Sequence, residues 1–324
     1  MNDFSYLAQK SLSGAALSRE EARAVLQSED DRLPELLQAA LTVRERFFGR
    51  KVKICLLQNA RSGLCPEDCH YCSQSAISTA SINKYRLLPT DQLLAGARKA
   101  VESGARRYCM VTSGRGPSER DITQLSQAVQ TIKQEFPDLE ICVSLGLMSE
   151  PQARELKEAG VGWVNHNLNT SRRFHPEICT THTYDDRVET VQNVKRAGLS
   201  TCSGGIIGMG ENDEDIVDLA YATRELGIDS IPVNFLYPIT GTPLGERRNF
   251  APTRGLKTLS LMRLLNPSSE VRMAAGRELY LGDWGGLALY PANSIFVEGY
   301  LTTPGQQALA ARKLVENAGF EVQE

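Results

Sequence analysis

Apolar positions in the first 48 residues repeat with a helical period. Ser18-Arg-Glu-Glu21 has the form of a capping box, in which a serine and a glutamate three residues on satisfy each other's free backbone N–H groups. Leu33, Leu36, Leu37, Ala40, Leu41 and Phe48 follow at i, i+3, i+4 spacing, and Gly49 suits the position just past a helix end. From Val52 the pattern changes. A short apolar run, a loop and an amphipathic stretch recur at roughly the 30 or more residues of a βαβ unit, after a longer first interval. Strands are predicted near 52–57, 107–112, 139–145, 161–167, 199–206, 229–236, 269–275 and 293–299. Leu93, Leu94, Ala97 and Val101 mark one intervening helix, and Val188, Val191, Val194 and Ala197 another. Strands alternating with helices pair in parallel, and eight such units close a (β/α)8 TIM-type barrel. The expected division is a helical extension at 1–49, the barrel at 50–304 and a C-terminal helix closing the barrel at 305–324.

The length of 324 residues suits one α/β barrel, typically about 250 residues, with extensions. Lys plus Arg number 36 against 39 for Asp plus Glu, a net charge of −3. That balance gives no electrostatic footprint for nucleic acid or an anionic membrane, so neither is an expected partner. No apolar run approaches the roughly 18 residues of a spanning helix. Met1-Asn-Asp-Phe-Ser-Tyr6 has no basic segment followed by an apolar core, so no secretory signal is expected and the cytoplasm is the expected location.

The chemistry centres on Cys65-Pro-Glu-Asp-Cys69-His-Tyr-Cys72, a C-x3-C-x2-C triplet. Three thiolates this close can bind three irons of a [4Fe–4S] cluster and leave the fourth without a protein ligand. A structural zinc site would ordinarily add a second Cys/Cys or Cys/His pair at knuckle spacing, and His70 is too cramped to join its neighbours on one metal. The order also differs from an ordinary ferredoxin run. The remaining cysteines are 55, 109, 142, 179 and 202. An even total of eight could suggest disulfides, but a tight triplet in a chain without a secretory signal favours cofactor ligation.

Cys109, Cys142 and Cys202 fall in three predicted strands and Arg272 in a fourth. One buried cysteine is ordinarily a small hydrophobe. Together the four could ring the barrel axis and hold a second metal cluster. Asn165-His166-Asn167 ends a strand and could be a turn, a cap or part of a site. Cys202-Ser-Gly-Gly-Ile-Ile-Gly-Met-Gly210 is glycine-dense but lacks phosphate-loop spacing, so it reads as close backbone approach to a bound cofactor. Barrel enzymes carry their chemistry at the C-terminal ends of strands and in the following loops, where these residues fall.

The triplet, with an aromatic just before its third cysteine, resembles the signature of the radical S-adenosylmethionine (SAM) superfamily. Its flanks, Asn59-Ala-Arg-Ser-Gly-Leu-Cys65 and Cys72-Ser-Gln-Ser75, are similar to the biotin synthase family, and the resemblance runs from about residue 50 to residue 304. It implies a [4Fe–4S] cluster on Cys65, Cys69 and Cys72 whose open iron chelates SAM. It also implies an auxiliary [2Fe–2S] cluster on Cys109, Cys142, Cys202 and Arg272. SAM contacts would come from Tyr71, Thr112, His166, Asn167, Asn169 and Ile206. Asn165, Asn167 and Asn234 would hold the cyclic urea of dethiobiotin, and Thr302 and Thr303 its carboxylate tail. The implied activity is sulfur insertion into dethiobiotin, in the last step of biotin biosynthesis, with SAM cleavage generating the radical and the auxiliary cluster donating sulfur. Implied partners are a flavodoxin- or ferredoxin-type electron donor and a second copy in a homodimer. Asn169 departs from relatives with Asp there, whose carboxylate contacts the SAM ribose. Cys55 and Cys179 match no ligand position and read as structural. The rival readings are a radical-SAM barrel enzyme without sulfur insertion, and an iron–sulfur electron carrier with no substrate.

Overall fold

The computed structural model describes residues 3–248 and 251–323. Three helices come first: α1 (Phe4–Leu12), α2 (Arg19–Leu26) and α3 (Leu33–Phe48). Asp3 caps α1 by accepting from Ser5 N at 2.9 Å. The Ser18–Glu21 box forms as the sequence specifies, and the chain turns out of α3 at Gly49 with φ 56°. Leu33, Leu36, Leu37, Ala40 and Leu41 are all buried.

Among the described residues ten strands follow: β1 (Lys51–Arg61), β2 (Arg107–Thr112), β3 (Glu140–Ser144), β4 (Trp163–Asn165), β5 (Ser200–Cys202), β6 (Gly205–Ile207), β7 (Ser230–Phe235), β8 (Glu270–Met273), β9 (Ser294–Val297) and β10 (Glu321–Val322). Their pairings are parallel, and β9 returns to β1, which closes the ring. β5 and β6 are two halves of one stave, so the barrel has eight, as the repeat predicts. β1 runs on to Arg61, past its predicted end at 57. The stave predicted at 199–206 is interrupted at 203–204. There Gly204 backs onto β7 so closely that a Cβ would stand 2.0 Å from the Pro232 carbonyl oxygen. Pro232 has no N–H for the ladder, and the stave breaks opposite it.

The outer helices are α4 (Thr90–Glu102), α5 (Glu119–Glu135), α6 (Glu150–Ala159), α7 (Tyr184–Arg196), α8 (Asp213–Glu225) and α9 (Pro252–Leu265). Capping boxes open α5, α6, α7 and α8 through Ser118, Ser149, Thr183 and Asn212. Each such cap contributes about 1 kcal/mol, and each pins a βα loop at the rim where barrel sites are built. A short helix, α10 (Arg277–Tyr280), and a 3-10 segment, Gly282–Leu289, lie before β9. After α11 (Ala308–Asn317), β10 pairs with the beginning of β1, Lys51 opposite Glu321. Among the described residues, no helix is long and apolar enough to cross a membrane.

Candidate active site: two cavities sharing a wall

Register decides which residues meet inside the barrel. Cys109 lies opposite Cys142, Asn165 opposite Cys202, Cys202 opposite Ser230, and Arg272 opposite both Pro232 and Ser294. Residues scattered between positions 109 and 294 thereby face one another. They surround two cavities at the C-terminal end of the staves.

The outer cavity, about 300 Å3, is lined by Cys65, Cys69, Cys72, Thr112, His166, Asn167 and Asn169 among others. The long loop after β1, residues 62–89, brings the three thiols to it. Cys72 N donates to Cys69 O at 3.1 Å, a tight turn that holds two of them together. Burial pushes the Cys72 thiol up to about 11, so at neutral pH it keeps its proton until a metal displaces it. Among the described residues, two buried polar atoms at this cavity have no hydrogen-bond partner: His166 Nε2 and Thr112 Oγ1. An orphan of this kind costs about 1–3 kcal/mol, and a polar ligand would satisfy it. Burial, with Arg187 adding to it, holds His166 well below the usual histidine value, so its ring is neutral. The thiol triplet and the two orphans fit an iron–sulfur cluster with a polar molecule beside it.

Asn169 sits at φ 69°, a left-handed conformation that asparagine tolerates better than most residues. Its amide orientation is assigned from the donors around it. The oxygen accepts from Tyr71 Oη at 2.6 Å and from Arg187 Nη2 at 3.1 Å. Arg187 also donates from Nη1 to Asn167 O at 2.8 Å and from Nε to His175 Nε2 at 3.2 Å. One buried guanidinium of α7 thus fixes the loop after β4. Tyr71 packs beside Ile206, Met209 and Leu236.

The inner cavity, about 240 Å3, lies deeper along the axis. Cys109, Cys142, Asn165, Asn167, Asn234, Arg272, Thr302 and Thr303 line it, with Leu57, Val111 and Phe296 supplying apolar wall. Cys202 is buried just behind that wall. Its Sγ accepts from Asn165 Nδ2 at 3.2 Å and Arg272 Nη1 at 3.6 Å. The interaction with Cys142, then burial, pushes Cys109 well above the usual thiol value. Burial also raises Cys202, with Arg272 opposing it. Asn234 donates to Gly205 O at 3.1 Å and accepts from Ala275 N at 3.2 Å. An amide has two donors and two lone pairs, so one of each stays available. Thr302 Oγ1 is 2.7 Å from Ser73 Oγ, which ties the loop after β9 to the cysteine loop.

Arg272 is fully buried. It donates to Ser294 Oγ at 3.0 Å and Ser230 Oγ at 3.2 Å and pairs with Glu270. Burial pulls its guanidinium down, but Cys55, Glu270 and Cys202 more than offset this, and it stays charged. Glu270 in turn meets Arg107 at 3.1 Å and Lys53 at 3.4 Å. Burial raises its carboxyl, and Arg272, Arg107 and Lys53 outweigh that, so it is ionised. Arg107 stacks 3.6 Å from the Trp163 ring and bonds Glu140 at 2.8 Å. This charged floor under the thiols escapes sequence reading, because single acidic and basic residues on four strands carry no spacing signal. Ser73, Gln74, Ser144 and Tyr300 are further lining residues of the same kind. Cys55 is buried in one apolar cluster with Cys109 and Cys142, its Sγ 3.6 Å from Ser294 Oγ. Cys179 does not stay apart: its Sγ is 3.7 Å from Cys69 Sγ.

Residues 61–220 match the radical SAM superfamily, and residues 232–321 match the Biotin and Thiamin Synthesis associated domain. The biotin synthase of Geobacillus thermodenitrificans is 51% identical over 98% of this chain and 95% of its own length. That of Bacillus subtilis is 49% identical over 100% and 96%. Among solved structures, methylornithine synthase superposes with a TM-score of 0.85 at 22% identity, covering 98% of this chain and 97% of its own. The FeFe-hydrogenase maturase of Carboxydothermus hydrogenoformans gives 0.82 at 17%, covering 99% and 79%. Those two likenesses establish the fold, while near-50% identity across the whole chain goes further: this protein belongs to the biotin synthase family.

Proposed function

We propose that this chain converts dethiobiotin to biotin, with a [4Fe–4S] cluster on Cys65, Cys69 and Cys72 and a [2Fe–2S] cluster on Cys109, Cys142 and Cys202 beside Arg272. The observation that carries this reading is the shared wall. Tyr71, Cys72, Asn165, Asn167, Ile206 and Asn234 line both cavities, so a substrate held there lies between the two cysteine sets. When bound, SAM and the outer cluster supply one-electron chemistry that breaks an unactivated C–H bond, and the inner cluster supplies sulfide.

The chain's own residues bind, orient and exclude water. Free donors and lone pairs of Asn165, Asn167 and Asn234 match the N–H and C=O groups of a cyclic urea. Thr302 and Thr303, which line the inner cavity, would donate their hydroxyls to a carboxylate tail. His166 Nε2 and Thr112 Oγ1 are the unsatisfied atoms that SAM would meet, with Tyr71, Asn167, Asn169 and Ile206 around it. Arg272 is a poor metal ligand while charged. Its contribution is to neutralise thiolates and, through Glu270, to join them to the charged floor. Leu57, Val111 and Phe296 keep the inner cavity apolar, which protects a reactive carbon centre from water.

The same reading takes in a flavodoxin- or ferredoxin-type electron donor, a homodimer and a cytoplasmic setting, where reducing conditions keep thiols free for iron. It also takes in the division at 1–49, 50–304 and 305–324, supported by a first stave that begins at Lys51 and a last that ends at Val297. The test is to reconstitute the protein anaerobically and supply SAM, dethiobiotin and a low-potential reductant. Deoxyadenosine that depends on dethiobiotin, together with biotin, is the expected outcome. Deoxyadenosine without biotin would move the chain to another radical-SAM reaction, and neither product would make it a carrier.

A further inference from the structure

The loop between β4 and α7 brings Cys179 and His182 to the underside of the cysteine loop, more than 100 residues away in sequence. Cys69 Sγ and Cys179 Sγ are 3.7 Å apart, and Cys179 Sγ is 3.3 Å from His182 Nδ1 and 3.6 Å from His182 Nε2. All three ligand atoms lie within 4.8 Å of one another, and all three residues are buried. From this geometry we infer that, in the cluster-free protein, Cys69, Cys179 and His182 bind one zinc ion, which competes with the [4Fe–4S] cluster for Cys69.

The Sγ–Sγ and Sγ–Nε2 separations are those of ligands on one tetrahedral ion, and the third lies within 4.8 Å. With zinc–sulfur bonds of about 2.3 Å, two thiolates on one tetrahedral centre stand about 3.8 Å apart. With a zinc–nitrogen bond of about 2.0–2.1 Å, a thiolate and an imidazole nitrogen stand about 3.5 Å apart. Thiolates on separate irons of a cubane point away from each other, so a pair this close suits a single metal. The mixed sulfur and nitrogen donor set is the one zinc prefers.

The surroundings are arranged as a metal-bound histidine requires. Glu67 pairs with His182 Nδ1 and accepts from Thr181 Oγ1 at 2.6 Å. Arg115 steadies the carboxylate at 3.2 Å. A proton on Nδ1 directed at Glu67 leaves the Nε2 lone pair free for an ion, the usual carboxylate–histidine–metal relay. Cys69 and His182 also line the outer cavity, which has room for a water as fourth ligand. Zinc would bind both sulfurs as thiolates and release to solvent any thiol proton they carry, with no change of oxidation state.

Zinc binding stands on this geometry alone; the competition rests on the reading of Cys69 as a cluster ligand. The test uses the full chain, freed of metal under anaerobic conditions and titrated with cobalt(II), then zinc. The expected wild-type result is one cobalt per chain, with thiolate charge-transfer and tetrahedral d–d bands that zinc abolishes. Zinc affinity, measured against a chromophoric chelator, should fall at least about tenfold in Glu67→Ala and further in Cys179→Ser and His182→Gln. Cys65→Ser and Cys72→Ser should bind as wild type, and circular dichroism of each variant checks its fold. Zinc-loaded wild type should resist iron loading of the outer cluster, whereas zinc-treated Cys179→Ser should not. An octahedral cobalt spectrum, or zinc lost with Cys65 and Cys72 but kept in Cys179→Ser, would overturn the site. Zinc bound as described with iron loading unchanged would overturn the competition and leave the zinc site standing.

Discussion

Asn169 is a residue whose local chemistry can be separated from its neighbours. Its oxygen accepts from Tyr71 and Arg187 in a left-handed backbone conformation. Aspartate tolerates that conformation and would set a carboxylate against the Arg187 guanidinium, so Asn169→Asp should keep its fold and its SAM requirement. Leucine loses both accepted bonds and strains the backbone. Asn169→Leu should cost about 1–3 kcal/mol, read as a lower melting temperature, and should raise the SAM concentration needed while iron content stays at wild type. A SAM requirement unchanged in the leucine variant would remove Asn169 from the site. His175 gives a pH test. Burial, then Arg187, lowers it from 6.5 to about 4. A histidine depressed in the folded state favours the fold above its unfolded value, and that contribution is lost as pH falls from 6.5 toward 4. The melting temperature should therefore drop over that window, and less steeply in His175→Gln, by calorimetry on cluster-free protein. Legibility at this scale was uneven. The cysteine triplet announces itself by spacing, whereas Glu270, Arg107 and Cys179 each meet a partner more than 30 residues distant that spacing does not reveal.

Among elements, the interrupted stave β5–β6 positions most of the polar wall. Gly204 donates from its N–H to Asn167 Oδ1 at 3.1 Å and leaves no room for a side chain against the Pro232 carbonyl. Since the obstructing atom is backbone, Gly204→Ala should cost about 1–3 kcal/mol by overpacking. It should also displace Asn167, so activity should fall more than the lost folded fraction explains; thermal melts and initial rates on one preparation check this. Alternating apolar runs made all eight staves legible, with ends that shift by a few residues. The break in β5–β6 was not legible, because Cys202-Ser-Gly-Gly reads as continuous strand unless Pro232 is known to lie opposite. β10 escaped because two residues carry no period. The docking of the cysteine loop onto residues 179–182, through Asp68 to Thr180 N at 2.9 Å, likewise has no local signature.

Across the whole molecule, closure of the barrel turns four strand residues into one chamber with a charged floor. Removing one member of a buried ion pair costs about 3–5 kcal/mol when its partner is left alone. Glu270 would keep Arg107 and Lys53, so Arg272→Met should cost less than that, still assemble an inner cluster and retain part of the activity. Iron and sulfide analysis beside biotin yield would detect the opposite, a variant as empty as the cysteine ones. Fold class and the grouping of Cys109, Cys142, Cys202 and Arg272 were readable from strand order together with family resemblance, since both follow from one repeat. The central claim is that the inner thiols hold the sulfur donor, and Cys142→Ala addresses it most directly. After anaerobic reconstitution, iron, sulfide, deoxyadenosine and biotin are measured separately on the variant. The expected result is loss of the smaller cluster's iron and sulfide, continued SAM cleavage and no biotin; a wild-type yield of biotin from Cys142→Ala would refute the assignment.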